Sequence, residues 1–426
     1  MKVTIFPGVP LTGTLDAIPS KSAAHRLMIC AALADGPTTI TCPRRSQDID
    51  ATLRCLIGLG ASFQPQGKGY LVTPAAQENR ADHCLLDCGE SGSTLRFLLP
   101  VAGAMGANAT FQLAGRLAQR PMGPLLEQLE AHGCQTYLDP EKKTLSISGQ
   151  LTPGAYRLPG DVSSQFFTGL LFALPLLGEE SVLEIEGELE SASYLQLTIQ
   201  ALAAFGVTPE RMETGWIVRP QAYRTPGRAI VEGDWSNAAP WLCMGAIDGD
   251  SVTVKGLDPD SQQGDRAVCR VLGEMGVPIH HTADRYTSHP GRLHPTTTTI
   301  DARDIPDLVP VLAALAASIP GTTIITGAAR LRLKESDRLA TTAATLNALG
   351  GQVAVTDDGL ILQGKARLLG GTVDAAGDHR IAMAAAVAAC ACSEPVVITG
   401  AQAVEKSYPT FWHDLRALGK PVEEAP

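Results

Sequence analysis

The chain has no excess of basic residues. Its 34 lysines and arginines stand against 44 aspartates and glutamates, a formal net charge of −10. That excludes the basic stripe a nucleic-acid surface needs. No apolar run reaches transmembrane length without charges or breakers. No helical pattern pairs a basic face with an apolar one, so a membrane surface is not an expected partner either. There are ten cysteines but no paired CxxC arrangement of the zinc kind. Several fall inside apolar segments, where a free thiol behaves as a small hydrophobe, and together they read as the reduced thiols of a cytoplasmic protein. His83, Cys84 and Cys88 lack a fourth ligand and read as a strand entering a loop. The His-rich stretch IHHTADRYTSHPGRLH reads as a solvated hairpin, so no metal is expected. The opening MKVTIFPG reads as a strand and a turn, without signal-peptide or transit character. Also missing are a GxxxxGKS/T phosphate loop, a GxGxxG after a strand, and a GxSxG elbow, which argues against an NTPase, an NAD enzyme and an α/β-hydrolase.

What the chain does have is a unit of about 71 residues, repeated six times. Ser22, Ser93, Ser164, Ser236, Asp307 and Asp378 mark it, each opening an Ala/Leu-rich run such as SAAHRLMICAALADG or DHRIAMAAAVAACA. Short polar residues belong at helix starts, where they satisfy orphan N–H groups, and such starts attract anions. A β-branched strand follows each run, mostly ending in Gly, as in ATFQLAG and GTTIITG. Then comes a polar-faced helix closing on Gly60, Gly133, Gly206, Gly276, Gly350 or Gly419, positions that fit a helix C′ residue. A period this long is a domain-building supersecondary unit rather than a solenoid repeat. Six copies predict α/β layers in two domains of three units. Pro226 and Gly227 in YRTPGRAIVEGDW mark the main crossover. A second crossover near residues 12–20 would place the first strand in the C-terminal domain. The expected domains are 13–229, and 1–12 plus 230–426.

Function should lie in the loops that break this symmetry. The stretches PSKSAAHR, DCGESGST with the Leu95-Arg96 that follows it, GRLAQRP, RLRLKESDR, GDHR and VEKSYP bring Lys21, Arg26, Arg96, Arg120, Lys334, Arg338, Arg380 and Lys406 beside helix starts. An acidic protein that puts cations there is built to bind small anions. Each phosphate carries roughly −1.5 to −2 charges at neutral pH, and Arg offers it planar, bidentate recognition. Asp307 at a helix start, and Glu335 between Lys334 and Arg338, are candidate proton carriers. The alternative for Glu335 is a partner that positions Lys334 or Arg338.

The series PSKSAAHR, CGESGSTLRF, LAQRPMGPLLEQL, DVSSQF, VEGDWSNAA, SQQGDR, DIPDLVP, RLKESDRL, GDHRIAMA and VEKSYP resembles the EPSP synthase motifs, in their order and spacing, over nearly the whole chain. The resemblance implies the two-domain enolpyruvyl-transferase fold, α/β, with six repeated βαβαββ units, three per domain, closing over substrates in a cleft. It implies transfer of the enolpyruvyl group of phosphoenolpyruvate to the 5-hydroxyl of shikimate-3-phosphate, with release of phosphate and no metal or organic cofactor. By motif position, Lys21, Ser22, Arg26, Ser163, Ser164, Gln165, Ser191, Tyr194, Asp307, Arg330 and Lys334 are expected at shikimate-3-phosphate. Lys21, Gly92, Arg120, Gln165, Arg338, Arg380 and Lys406 are expected at phosphoenolpyruvate. Lys21, Asp307, Glu335 and His379 are the expected acid–base groups. A monomer is expected, acting on small molecules only.

The chain departs from the commoner family pattern at Ser20 for Gly, His25 for Asn, Arg330 for Asn, and GESGS (89–93) for GNAGT. Glu90 would bring a negative charge near phosphoenolpyruvate unless it points away into an ion pair. The sister transferases acting on UDP-N-acetylglucosamine have Lys-Asn where this chain has Lys21-Ser22, and usually a Cys in the loop that here reads GRLAQRPMG. A non-catalytic binder of a phosphorylated metabolite is the other alternative, which Lys21, Asp307, Glu335 and His379 together disfavour. Of the six register residues, Ser236 is the one set apart, closer to the crossover than to a ligand loop.

Overall fold

The computed structural model describes residues 1–277, 279–291 and 296–426. It divides into two compact units, residues 21–231 and residues 1–20 plus 232–426. The unit 21–231 holds helices α1 (Lys21–Leu33), α2 (Gln47–Gly58), α3 (Gly92–Ala104), α4 (Gly123–Ala131), α5 (Ser164–Ala173) and α6 (Ala192–Ala204). The other holds α7 (Trp235–Asp248), α8 (Val268–Glu274), α9 (Val309–Ala317), α10 (Arg338–Ala348), α11 (His379–Ala389) and α12 (Phe411–Ala417). The odd-numbered helices are the apolar runs of the repeat. They are buried nearly all round, as α9 and α11 are along their full length, and each unit packs its helices into its own apolar core. Burial all round explains why these runs show no polar stripe.

Among the described residues each unit carries three four-stranded sheets, and all six share one topology. A first strand runs parallel to a second; the second, third and fourth are antiparallel, as in Cys84–Gly89, Ala109–Leu113, Thr144–Gly149 and Cys134–Asp139. The parallel step needs a helical crossover, which α3, α5, α9 and α11 supply in four of the sheets. Three sheets are completed by strands from outside their own repeat. Arg228–Ile230 lies parallel to Thr38–Thr41. Leu11–Asp16 lies parallel to Gly249–Lys255. Lys2–Ile5 sits between Val396–Thr399 and Val422–Ala425, antiparallel to both.

These pairings move the expected boundaries. Residues 13–20 belong with the unit that begins again at Glu232, because Leu11–Asp16 completes a sheet there and Ser20 N–H donates to the Glu232 carbonyl. Residues 230 and 231 belong with 21–229, because Ile230 pairs with Thr41 and Val231 N–H donates to the Thr41 carbonyl.

The six closing glycines all have positive φ, from +75° at Gly206 to +100° at Gly60, as a C′ position requires. The register at the helix starts differs from expectation. Asp378 caps α11, but α3 is capped by Ser91, α5 by Ser163 and α7 by Asp234, one or two residues ahead of the register residue. The cap falls on whichever residue is extended with its side chain turned back to the helix. Ser93, Ser164 and Ser236 therefore lie inside the first turn, on the face that meets neighbouring elements. The His-rich stretch pairs Ile279–Thr282 with Arg285–Ser288 as a hairpin; its last residues, Arg292, Leu293 and His294, lie outside the described residues. All ten cysteines are free. No helix among the described residues is long and apolar enough to cross a membrane.

Candidate active site

In the unit 21–231 the expected residues gather around the starts of α1, α3, α5 and α6. Lys21 opens α1 and its Nζ lies 2.8 Å from Asp48 Oδ2, both largely buried. Arg26, one turn on, is buried. It donates to the Ser22 carbonyl (2.7 Å), the Tyr194 carbonyl (2.8 Å) and Thr198 Oγ1 (2.9 Å). Burial is the largest influence on this guanidinium and pulls its pKa down to about 10, so it stays charged at neutral pH. Its contacts tie α1 to α6 and so fix Ser22 and the start of α6 together. Ser191, just before α6, is buried and has φ of +57°, a left-handed conformation that is rare for a side-chain-bearing residue. Such strain is kept only where surrounding structure enforces it.

At the α5 start, Ser163 caps the helix by accepting from the Gln165 N–H at 3.3 Å. The Gln165 amide donates to Ser93 Oγ (2.9 Å) and accepts from Arg96 (2.8 Å). Arg96 also donates to the Pro121 carbonyl at 2.9 Å, which holds the loop bearing Arg120. Helices α3 and α5 meet closely because a Cβ on Gly169 would clash with the Arg96 carbonyl. Gly92 has the same role towards Arg120: a Cβ there would lie 2.6 Å from Nη1 and 3.1 Å from Cζ. The guanidinium of Arg120 therefore rests on the bare backbone at the first residue of α3. The Glu90 carboxylate occupies the space that Gly115 leaves by lacking a side chain.

In the other unit Asp307, Glu335, Arg338 and Arg380 form one ionic network with Asp378. Arg338, at the start of α10, is buried and has three carboxylate partners. It donates to Asp378 from Nε (2.8 Å) and Nη2 (3.2 Å), to Asp307 Oδ1 (2.9 Å) and to Glu335 Oε2 (2.8 Å). Burial opposes its charge, but Asp378, Glu335 and Asp307 outweigh that and raise its pKa well above the ordinary value. Arg380 donates to Asp307 Oδ2 (3.1 Å), to the Ser236 carbonyl (3.0 Å) and to Ser236 Oγ. Burial opposes its charge too, and Asp307 and Asp234 lead the carboxylates that raise its pKa overall. Asp378 is fully buried, whereas the side chains of Asp307 and Glu335 keep 20% and 14% of their surface exposed. Asp378 is thus sealed, while Asp307 and Glu335 stay partly open to solvent. His379 is enclosed, with Nδ1 3.8 Å from Asp378 Oδ1. Lys406 donates to the Gly377 carbonyl at 2.5 Å, and Arg330 donates to the Arg303 carbonyl. Lys334 ends the 3₁₀ turn Ala329–Leu333 just before Glu335.

Sequence reasoning missed Asp48, Asp234, Asp378 as an arginine ligand, and the organising part of Arg96. It set Ser236 apart, yet Ser236 holds Arg380 through both its carbonyl and its hydroxyl. The available signal was the register itself, since Ser236 and Asp378 occupy equivalent repeat positions. Among the described residues no group of three or more His, Cys, Asp or Glu is placed to hold a metal ion.

Six sheets of one topology, three per unit, define the class: the chain has the enolpyruvyl-transferase fold. A solved EPSP synthase from Acinetobacter baumannii is 26% identical, with a TM-score of 0.82 over 100% of both chains. The enolpyruvyl transferase NikO of Streptomyces tendae, 22% identical, shares the fold at a TM-score of 0.80 over 100% of this chain and 99% of that one. The family model for EPSP synthase (3-phosphoshikimate 1-carboxyvinyltransferase) matches residues 5–415. A 3-phosphoshikimate 1-carboxyvinyltransferase of Clostridium kluyveri is 43% identical over 425 residues, covering 100% of this chain and 99% of the relative. One of Clostridium acetobutylicum is 40% identical, covering 97% and 96%. The chain belongs to the EPSP synthase family, and it is a transferase of the shikimate pathway.

Proposed function

We propose that this chain moves the enolpyruvyl group of phosphoenolpyruvate onto the 5-hydroxyl of shikimate-3-phosphate through a tetrahedral intermediate, and that the following residues do it. Shikimate-3-phosphate is held by Lys21, Ser22, Arg26, Ser163, Ser164, Gln165, Ser191, Tyr194, Asp307, Arg330 and Lys334. Phosphoenolpyruvate is held by Lys21, Gly92, Arg120, Gln165, Arg338, Arg380 and Lys406. The observation that carries the reading is the pair Asp307 and Glu335, two partly exposed carboxylates sharing Arg338 while the third, Asp378, is sealed.

The chemistry needs an acid and a base. A proton must reach the methylene carbon of phosphoenolpyruvate while the hydroxyl oxygen bonds to the neighbouring carbon and loses its own proton. In the second half, the carbon–oxygen bond to phosphate breaks and the new methyl group gives up a proton, restoring the methylene. Glu335 suits the first donor. An anionic substrate competing for Arg338 takes donors from Glu335, and this favours the protonated carboxyl. Asp307, ligated by both arginines, suits the hydroxyl's proton; Lys21 is the cation proposed to neutralise developing charge. His379, the fourth expected acid–base group, is enclosed with its Nδ1 3.8 Å from Asp378 Oδ1. A cytoplasmic location belongs to the same reading, supported by ten free cysteines, and so does action as a monomer.

The test is phosphate release from phosphoenolpyruvate. It should require shikimate-3-phosphate and yield the 5-enolpyruvyl ether; release with UDP-N-acetylglucosamine in its place would overturn the reading.

A further inference from the structure

His25 is buried on α1, and no substrate role above uses it. Its Nδ1 lies 2.6 Å from Thr52 Oγ1 on α2. Thr52 Oγ1 lies 2.6 Å from Thr94 Oγ1 on α3. Thr94 Oγ1 in turn donates to Ser91 Oγ at 2.7 Å, and Thr94 N–H donates to the same oxygen at 3.3 Å. The last step sets the direction of the chain. Because the Thr94 hydroxyl proton goes to Ser91, Thr94 Oγ1 accepts from Thr52, and Thr52 accepts from His25 Nδ1–H. The ring is then the neutral Nδ1–H tautomer, and its Nε2 is buried without a hydrogen-bond partner among the described residues. Three helices are thereby tied to one residue, the cap of α3. The next residue is Gly92, on whose bare backbone Arg120 rests.

We infer that His25 is a positioning residue for phosphoenolpyruvate: through Thr52 and Thr94 it fixes Ser91, and so sets the height of the Gly92 backbone under the Arg120 guanidinium. The inference rests on Gly92 and Arg120 being phosphoenolpyruvate contacts. A hydrogen-bond donor at one position of the ring is all the chain requires. Asn places its amide nitrogen one bond from Cγ, where His has Nδ1, so Asn can serve and Leu cannot. Valine at position 52 keeps the shape of threonine and removes the link.

The experiment measures kcat and both Michaelis constants for the full chain and for His25→Asn, His25→Leu, Thr52→Val and the pair His25→Leu/Thr52→Val. Thr52→Val is expected to raise the KM for phosphoenolpyruvate about tenfold, the effect of one lost buried hydrogen bond. The KM for shikimate-3-phosphate and kcat should stay within about twofold, since the chain touches neither. His25→Asn should match the parent, and the double variant should be no worse than the worse single one, because both cut the same chain. Should His25→Leu fail to fold, Thr52→Val and His25→Asn still decide. Thr52→Val with unchanged KM for phosphoenolpyruvate, both KM values rising together, or His25→Asn as impaired as Thr52→Val would each overturn the inference. Arg120→Ala separates the two levels. If it leaves the KM for phosphoenolpyruvate unchanged, the site assignment falls and the inference with it; if it raises that KM while Thr52→Val does not, the inference falls alone.

Discussion

Gly92→Ala tests how finely the Arg120 position is set. The new Cβ would stand 2.6 Å from Nη1, 3.1 Å from Cζ and 3.4 Å from Nη2. Non-bonded atoms settle at roughly 3.5 Å or more, so the guanidinium must retreat by about 1 Å. The backbone loses little. Gly92 is a helical residue with no positive φ, and alanine suits a helix better than glycine by up to about 1 kcal/mol. The displaced group is the end of a flexible side chain, so the fold absorbs the change. A charged hydrogen bond contributes roughly 1.5–3 kcal/mol, and 1 Å of displacement removes most of it. The KM for phosphoenolpyruvate should therefore rise about 10- to 100-fold, with the melting temperature unchanged or slightly raised. Steady-state kinetics and thermal unfolding on the same preparation separate these effects. An unchanged KM would refute the placement of Arg120 at phosphoenolpyruvate. A loss of stability that matches the loss of affinity would refute the claim that only the side-chain end moves.

Three further predictions follow from the ionic groups. Asp378→Ala leaves Arg338 buried and short of its principal ligand, and should destabilise the protein by about 3–5 kcal/mol in urea unfolding; Asp48→Ala, which strips a mostly buried pair on the other unit, should cost less. Glu335→Gln should lower kcat at least about 100-fold, as expected for a general acid, with both KM values changing far less; an intact kcat would remove Glu335 from proton transfer. His25, whose pKa lies well below 6.5 through burial first and then Lys21 and Arg26, predicts a pH effect. Below pH 6.5 the unfolded chain takes up a proton that the folded chain refuses, so stability falls as pH falls, by up to about 1.4 kcal/mol per pH unit until the folded ring also titrates. His25→Asn should remove that slope between pH 6.5 and 5, and an unchanged slope would show that His25 is not held neutral.

The repeat was legible because its signals are local: an apolar run, a β-branched strand, a closing glycine. Cap positions were legible only to within two residues, since Ser91 and Ser93, or Asp234 and Ser236, are equally suitable by type and differ only in backbone conformation. The borrowed strands were less visible, because a strand's partner is not written in the strand. Leu11–Asp16 carries no mark of Gly249–Lys255, so a boundary read from the sequence falls at residue 12 rather than after Ser20. Among the site residues, cations stood out by type, but their ligands did not. Arg338 and Asp378 are 40 residues apart in sequence and His25 and Thr52 are 27 apart. A threonine in an amphipathic helix shows nothing of the chain it will join.

The borrowed strands also impose an order on synthesis. Leu11–Asp16 leaves the ribosome about 240 residues before its partner Gly249–Lys255, roughly 20 s at ordinary elongation rates. Lys2–Ile5 waits longer still, for strands at Val396–Thr399 and Val422–Ala425. During that interval residues 21–231 can complete all three of their sheets, the last closed by Arg228–Ile230. The middle of the nascent chain is thus expected to mature first, with its two leading strands still unpaired. A truncation after residue 231 should yield a folded body with a loose leader, whereas removal of residues 1–16 should leave residues 21–231 folded and strip two sheets of the other unit of a strand each.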